Sequence, residues 1–496
     1  MTRDLLAQEG GLDQRVNDAF TTVSDAVQAV IFYEVTIAGA TFPLVVAWLA
    51  IAAIFFTVYF GFINVRGVKH SVQLVKGEYT APDEVGEVSH FQALATAVSG
   101  TVGLGNIAGV AVAITIGGPG ATFWMILAGL LSMSTKFAEC TLGVKYRREN
   151  ADGTVSGGPM FYLSRGLAEQ GMAALGKVLA VAFAVFCIIG SLGGGNAFQA
   201  NQAFSQMRNV TGGEEGFLGG GAAGVVFGIV LATAVGLVII GGIKRIARVT
   251  GKLVPFMAVF YVLCCFIVLG ANFGAIPEAF RMIVEGAFSP DGVAGGIVGV
   301  LITGIQRAAF SNEAGLGSAA IAHSAVRTNR PVTEGYVALL EPFIDTVVIC
   351  TMTALTIIVT GAFTQAGTEG VQLTSDAFET VLPWFPNALA VAVVLFAFST
   401  QLAWSYYGAK ATAYLFNESK VADTVYKVVF LLFIVIGAAS SLEVIIGFSD
   451  AMIFAMSIPN LIGVYLLVRV VKRELKAHEE GLRTGEIVKL KDRAGA

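Results

Sequence analysis

A chain of 496 residues, 55% hydrophobic and only 13% charged, cannot clothe itself in the polar coat that a soluble protein of this length needs. It reads as an integral membrane protein, with lipid around its apolar surface. A net charge of −4, from 31 basic and 35 acidic residues, leaves no basic footprint for nucleic acid, and the five cysteines lie in or beside apolar runs without metal-type spacing.

In chain order, the first 40 residues are acidic and lack the basic–apolar–small pattern of a cleavable signal peptide. Residues 16–36 alternate apolar and polar side chains at near-helical spacing (Val16, Phe20, Val23, Val27, Val30, Ile31), which predicts an amphipathic helix on the membrane surface. Eleven apolar stretches then follow, each long enough to cross ~30 Å of hydrocarbon. They are spans 1 to 11, at roughly 43–63, 91–116, 121–143, 178–207, 222–242, 253–272, 294–318, 334–361, 387–415, 425–441 and 444–470. Of the lysines and arginines outside the spans, 24 fall on one set of alternate loops and the C-terminal tail, and 4 on the opposite side. That asymmetry puts the N-terminus outside and the C-terminus in the cytoplasm, and it agrees with an odd number of spans in a plasma (inner) membrane.

Two halves echo each other. Val102-Gly103-Leu104-Gly105-Asn106-Ile107-Ala108 in span 2 reappears as Ala314-Gly315-Leu316-Gly317-Ser318-Ala319-Ala320 in span 7. Leu179-Ala180-Val181-Ala182 with Phe186 in span 4 matches Leu389-Ala390-Val391-Ala392 with Phe396 in span 9. Five spans separate the copies, so the second unit crosses upside down, the arrangement of an alternating-access transporter. The chain then divides into an extracytoplasmic segment 1–42, an extra span 43–63, five-helix repeats over 91–272 and 294–470, and a cytoplasmic tail 471–496.

Span 2 places three glycines and three polar side chains mid-membrane between Ser99 and Asn106. Glycine costs a helix about 1 kcal/mol relative to alanine, so a break is predicted near Ser99–Gly105. Freed N–H groups at the second half would bind a carboxylate, and freed carbonyls of the first half would coordinate Na⁺. The competing reading is a glycine face for close helix packing. Gly103-x-Gly105-x-x-Ala108 also fits a dinucleotide fingerprint, but no strand or soluble βαβ unit surrounds it.

In span 4, Asn196, Gln199 and Gln202 recur at three-residue spacing; such amides either read a small polar substrate or bond neighbouring helices. Span 7 carries Arg307 and, six residues on, Glu313, too far apart for i,i+4 partners on one regular helix. These charges face an aqueous path, find other partners, or lie on a broken segment, with Asp345 or Glu341 as the expected partner of Arg307; static glue between helices is the alternative. In span 9, Ser399 and Thr400 form a believable Na⁺ shell or bond their own i−4 carbonyls. Trp404 beyond them either walls a pocket or simply packs. The four histidines (His70, His90, His323, His478) are scattered, without ligand spacing, so no catalytic residue is assigned.

At these residues the chain resembles the alanine/glycine:cation symporter family. The matching stretches are FQALATAVSGTVGLGNIAGVA (91–111), GGPGATFWM (117–125), KFAECTLGVKYR (136–147), GGPMFYL (157–163), FSNEAGLGSAAIAHSA (310–325), EPFIDTVV (341–348) and FSTQLAWSYYGAKA (398–411). The resemblance implies an all-α membrane protein of the leucine-transporter type, with a five-plus-five inverted repeat (spans 2–6 and 7–11) after an extra first span. It implies a sodium-coupled importer of small neutral amino acids, alanine or glycine. A symporter of the same fold using H⁺ or another small zwitterion is the alternative; a membrane oxidoreductase or a passive channel would lack a soluble cofactor domain or a use for the inverted pair. By the same resemblance the substrate carboxylate would sit on N–H groups around Leu104 and Gly105, with Thr101, Gly103 and Asn106 close by. Asn196, Gln199, Asn201 and Trp404 would line the pocket, and Phe310, Ser311 and Asn312, with Glu313, would close it. Na⁺ would be held by Ser99, Val102, Ser399 and Thr400, while Thr101 and Asn106 could serve a second ion. The family's usual run differs at Ser99-Gly100 and Leu104, where Ala-Ala and Thr are more familiar. Beyond the amino acid, Na⁺ and membrane lipid, no obligate protein partner is implied.

Overall fold

The computed structural model describes residues 25–37, 40–80, 84–150, 153–289, 296–364 and 370–493. Helices dominate because a segment in lipid must satisfy its own main-chain N–H and C=O groups. Among the described residues seven helices are long and apolar enough to cross a membrane. They are Ala121–Lys145 (span 3), Ala173–Val210 (span 4), Gly242–Ala271 (span 6), Pro331–Thr360 (span 8), Phe385–Leu415 (span 9), Lys420–Ala439 (span 10) and Ile445–Thr484 (span 11). Span 2 makes an eighth as a bent pair, His90–Thr101 and Leu104–Gly117, turned by 58°. Leu44–Tyr59 (span 1) and Ala223–Ile239 (span 5) are apolar but only 16 and 17 residues long, about 24–26 Å at 1.5 Å per residue. Span 7 is split into Gly296–Asn312 and Ala319–His323. By length and composition alone up to eight of the eleven expected crossings pass, and among the described residues each apolar stretch overlaps helix.

The surface helix expected over 16–36 is corrected in its second half. Residues up to 24 lie outside the described chain and 25–31 are helical, but Glu34–Ile37 is a strand paired antiparallel with Ala40–Pro43. The β-branched run Val35-Thr36-Ile37 favours a pleated surface, and the Thr36 and Thr41 hydroxyls bond across the pair at 2.8 Å.

Several local features position the centre of the bundle. Span 2 begins on a capping box, in which Ser89 and Gln92 each bond the other's backbone N–H. Span 4 widens into a π turn over Gly193–Ala197, and span 8 does so over Phe343–Cys350, directly after Pro342, which has no N–H to continue the regular ladder. Span 9 is buried continuously from Ser399 to Gly408, so its polar side chains meet protein all round. At the end of span 3, the Arg147 guanidinium donates to the carbonyls of Ser324 (3.0 Å), Val326 (2.6 Å), Thr328 (2.9 Å) and Val85 (2.8 Å), which anchors the chain leaving the split span 7.

Candidate functional site

Both glycine-rich segments are discontinuous, and they face each other. In span 2 the first helix ends at Thr101, Gly103 is extended, and a single 3-10 turn over Leu104–Asn106 precedes the second helix. In span 7 the helix ends at Asn312, whose side chain accepts the Ala314 N–H at 3.0 Å. Glu313, Gly315 and Gly317 then take positive φ before helix resumes at Ala319. Between the breaks lies a cavity of about 10 Å³, room for roughly one water molecule. Its walls are Gly100, Thr101, Gly105, Gly194, Gln199, Phe310, Glu313, Trp404 and Ile453.

The N–H groups freed in span 2 have side-chain partners. Gly103 N–H donates to Asn106 Oδ1 at 2.9 Å, and Leu104 N–H donates to Gln199 Oε1 at 3.0 Å. Asn106 in turn donates through Nδ2 to Asp345 Oδ1 at 2.7 Å, and Asp345 also accepts from Ser311 (2.8 Å) and Thr346 (2.7 Å). Asn312 donates to Thr346 at 3.0 Å. Asn106, Ser311 and Asn312 thus turn toward span 8 around a buried carboxylate. Sequence reasoning treated Asp345 only as a partner for Arg307; its EPFID context after Pro342 was the available signal.

Of the expected pocket residues, Thr101, Gly105, Gln199, Phe310 and Trp404 come together at the cavity, with Gly103 and Leu104 joined through their N–H groups. Asn196 and Asn201 do not. Asn196 donates to the Phe430 carbonyl at 2.6 Å and Asn201 to the Ser440 carbonyl at 2.7 Å, both bonds reaching span 10 or its end. The reason is the π turn: the wider loop rotates Asn196 away from the face that Gln199 presents. Gly195 in that turn lets the indole approach, since a Cβ there would lie 2.2 Å from Trp404 Cγ.

The residues expected to hold Na⁺ also converge. Ser99 Oγ donates to the Ser399 carbonyl at 2.6 Å, so spans 2 and 9 touch at this level. Ser399 Oγ is engaged by the Phe396 carbonyl at 3.0 Å, the local bond that was the competing reading. Thr400 Oγ1 is different: it is buried and has no hydrogen-bond partner among the described residues. It lies where a Cβ on Gly103 would be 2.4 Å away, next to Val102, which leaves helical geometry at ψ 84°. An orphaned hydroxyl beside unwound backbone suits a small hard cation.

The charges pair differently from expectation. Arg307 meets Asp450 of span 11, and neither Asp345 nor Glu341, with its guanidinium 5.7 Å from the Phe310 ring centre. Glu341 takes Lys136 of span 3 at 3.1 Å and lies 3.5 Å from His323, which with His90 engages Glu334. His70 and His478 meet at 2.9 Å, so histidines scattered in sequence gather in two places. One helical turn past Trp404, a second cavity of about 450 Å³ opens along Ser405, Tyr406, Ala409 and Lys410 of span 9, among Lys244, Lys420 and Lys427 of the basic loops.

Residues 25–492 match the sequence profile of the sodium:alanine symporter family. The chain is 39% identical to the sodium/alanine symporter AgcS of Methanococcus maripaludis over 442 residues, 88% of this chain and 94% of that one. It is 34% identical to the amino-acid carrier protein AlsT of Bacillus subtilis, covering 87% and 88% of the two chains. Its fold is that of MhsT, solved in complex with L-phenylalanine, with a TM-score of 0.55 at 18% identity over 77% of this chain and 88% of that one.

Proposed function

The chain belongs to the sodium:alanine symporter family, and from that premise we propose that it is a sodium-coupled importer of small neutral amino acids, alanine or glycine, working by alternating access. The observation that carries this reading is the pair of facing breaks around a small cavity, with the unpartnered Thr400 hydroxyl beside one of them. The two repeats, eleven crossings and an outside N-terminus complete the reading, supported by the charge asymmetry of the loops.

In this mechanism the substrate carboxylate displaces the amide oxygens of Gln199 and Asn106 from the N–H groups of Leu104 and Gly103, with Thr101 and Gly105 beside it. Phe310 and Trp404 close the remaining space, which keeps large side chains out. Na⁺ sits among Ser99, Val102, Ser399 and Thr400 and bridges spans 2 and 9. Binding then favours one arrangement of the bundle over the other, so each ligand raises the affinity for its partner. Asn106 links the Gly103 N–H to Asp345. That link carries substrate binding into span 8 and offers a place, with Ser311 and Asn312 nearby, for a second cation. Release runs into the 450 Å³ cavity among the basic loops.

The deciding experiment is alanine and glycine uptake into proteoliposomes with and without an inward Na⁺ gradient. Accumulation above the external level only with the gradient is expected; accumulation that ignores Na⁺ removes the coupling. Thr400→Ala should raise the Na⁺ concentration for half-maximal uptake about 10-fold, the worth of one hydrogen-bonding ligand to a charge. Ser399→Ala should raise it less, because that hydroxyl is already committed to the Phe396 carbonyl. A Na⁺ dependence unchanged in both variants would place the ion elsewhere.

A further inference from the structure

We propose that Glu313 is the seat of the substrate's ammonium group and the residue that restricts the pocket to zwitterions. The inference rests on the central cavity being the substrate site, as argued above. Among the described residues Glu313 is the one charged side chain in the cavity wall, which otherwise presents glycines, Thr101, Gln199, two aromatic rings and Ile453. It is the first residue past the first half of span 7 and holds φ +56, a left-handed conformation that a long L side chain rarely adopts. Such strain persists where surrounding structure enforces it, and it gathers at binding sites.

The carboxyl group is held in place by two donors, but it has no cation of its own. Trp404 Nε1–H donates to Oε1 at 3.0 Å, and the Ser318 hydroxyl bonds Oε2. Each oxygen keeps a further lone pair for an incoming donor. Lys136 lies within electrostatic reach of Glu139, Glu313 and Glu341, yet its ammonium is committed to Glu341 at 3.1 Å. Among the described residues no Lys, Arg or His nitrogen comes within 4.0 Å of Glu313, which is only 3% exposed. A buried carboxylate in this position is stabilised by any cation that enters the cavity. Gly105 of the unwound span 2 also lines the cavity, beside the Gly103 and Leu104 N–H groups, which suit an anion once the amide oxygens of Asn106 and Gln199 yield them. A cavity with such donors and a lone carboxylate recognises an α-amino acid and rejects the α-hydroxy acid of the same shape.

The test uses full-length protein in detergent and titrates intrinsic fluorescence with matched pairs, alanine against lactate and glycine against glycolate, with and without Na⁺. Wild type should bind the amino acid at least about 100-fold tighter than its hydroxy acid, since the analogue brings no cation to the buried carboxyl group. Glu313→Gln keeps the length and an acceptor for Trp404, with the Ser318 hydroxyl turning to accept from the amide N–H; it should cut that ratio to below about 10-fold by weakening the amino acid alone, with Glu313→Asp intermediate. An unchanged ratio, or equal weakening of both ligands, overturns the assignment and leaves Glu313 a structural residue. Wild-type protein that binds neither amino acid also overturns it. A preserved ratio with lost pH dependence of binding assigns a proton to Glu313 and equally rejects the ammonium seat. Amino-acid binding indifferent to Na⁺, with the ratio behaving as expected, sinks sodium coupling and leaves the seat standing.

Discussion

Replacing Gly103 by alanine cuts concentrative uptake by roughly 10- to 100-fold, the range that corresponds to 1–3 kcal/mol of overpacking at a tight site, while the protein still inserts and folds. The backbone at Gly103 is extended, which alanine adopts freely, so the effect is one of space alone. The new Cβ would stand 2.4 Å from Thr400 Oγ1 and 3.0 Å from Gln199 Oε1. Threonine in a helix is stiff at χ1 and cannot swing clear cheaply. Its hydroxyl must leave the place where Na⁺ would be met, and Gln199 must leave the Leu104 N–H. Uptake normalised to membrane-inserted protein checks this, with the Na⁺ dependence measured alongside. Wild-type uptake by Gly103→Ala would mean that Thr400 and the unwound backbone do not act together. Thr400→Ser in the same background should restore part of the activity, because serine keeps the hydroxyl and rotates more freely.

Removing the ammonium of Lys136 has the largest effect expected on stability. Lys136 is fully buried in span 3 and holds Glu341 of span 8 at 3.1 Å. Glu341 continues to His323 and, through it, to Glu334 and His90, so spans 2, 3, 7 and 8 share one charged cluster. Lys136→Met leaves buried carboxylates without their cation and should destabilise the protein by about 3–5 kcal/mol. Lys136→Met combined with Glu341→Gln should recover much of that loss, because removing both charges of a buried pair is far less costly than removing one. Thermal unfolding in detergent, followed by the monodisperse fraction, measures both variants. A single variant as stable as wild type would show that the cluster does not depend on this lysine.

The break in span 2 was legible because glycine and polar residues crowd into an otherwise apolar run, and its echo in span 7 pointed to the second break. The structure brings Ser99 to the Ser399 carbonyl and sets Gln199, Phe310 and Trp404 at one cavity. Which course each span 4 amide takes was not legible: Asn196 bonds a neighbouring helix, while Gln199 lines the cavity. The three-residue spacing of Asn196, Gln199 and Gln202 assumes 3.6 residues per turn, and the π turn at Gly193–Ala197 breaks that assumption, sending Asn196 to span 10. Hydropathy marked eleven stretches, but it counts apolar residues and does not see where a helix stops, so spans 1, 5 and 7 came out shorter than expected. Arg307 was matched to acids nearby in sequence, whereas its partner Asp450 lies 143 residues away.

What the amino-acid order determined by itself is everything that depends on local chemistry. The shortage of charge required lipid, the apolar periodicity required helices, and the glycines placed the weak points in those helices. Tertiary structure decided which groups meet at the weak points: Gln199 and Asn106 on the opened N–H groups, Thr400 left without a partner, Asp450 beside Arg307, and Glu313 alone in the cavity wall. Those pairings join residues up to 143 positions apart. They are set by the rotation and tilt of each packed helix, quantities that side-chain packing selects and that no single segment encodes.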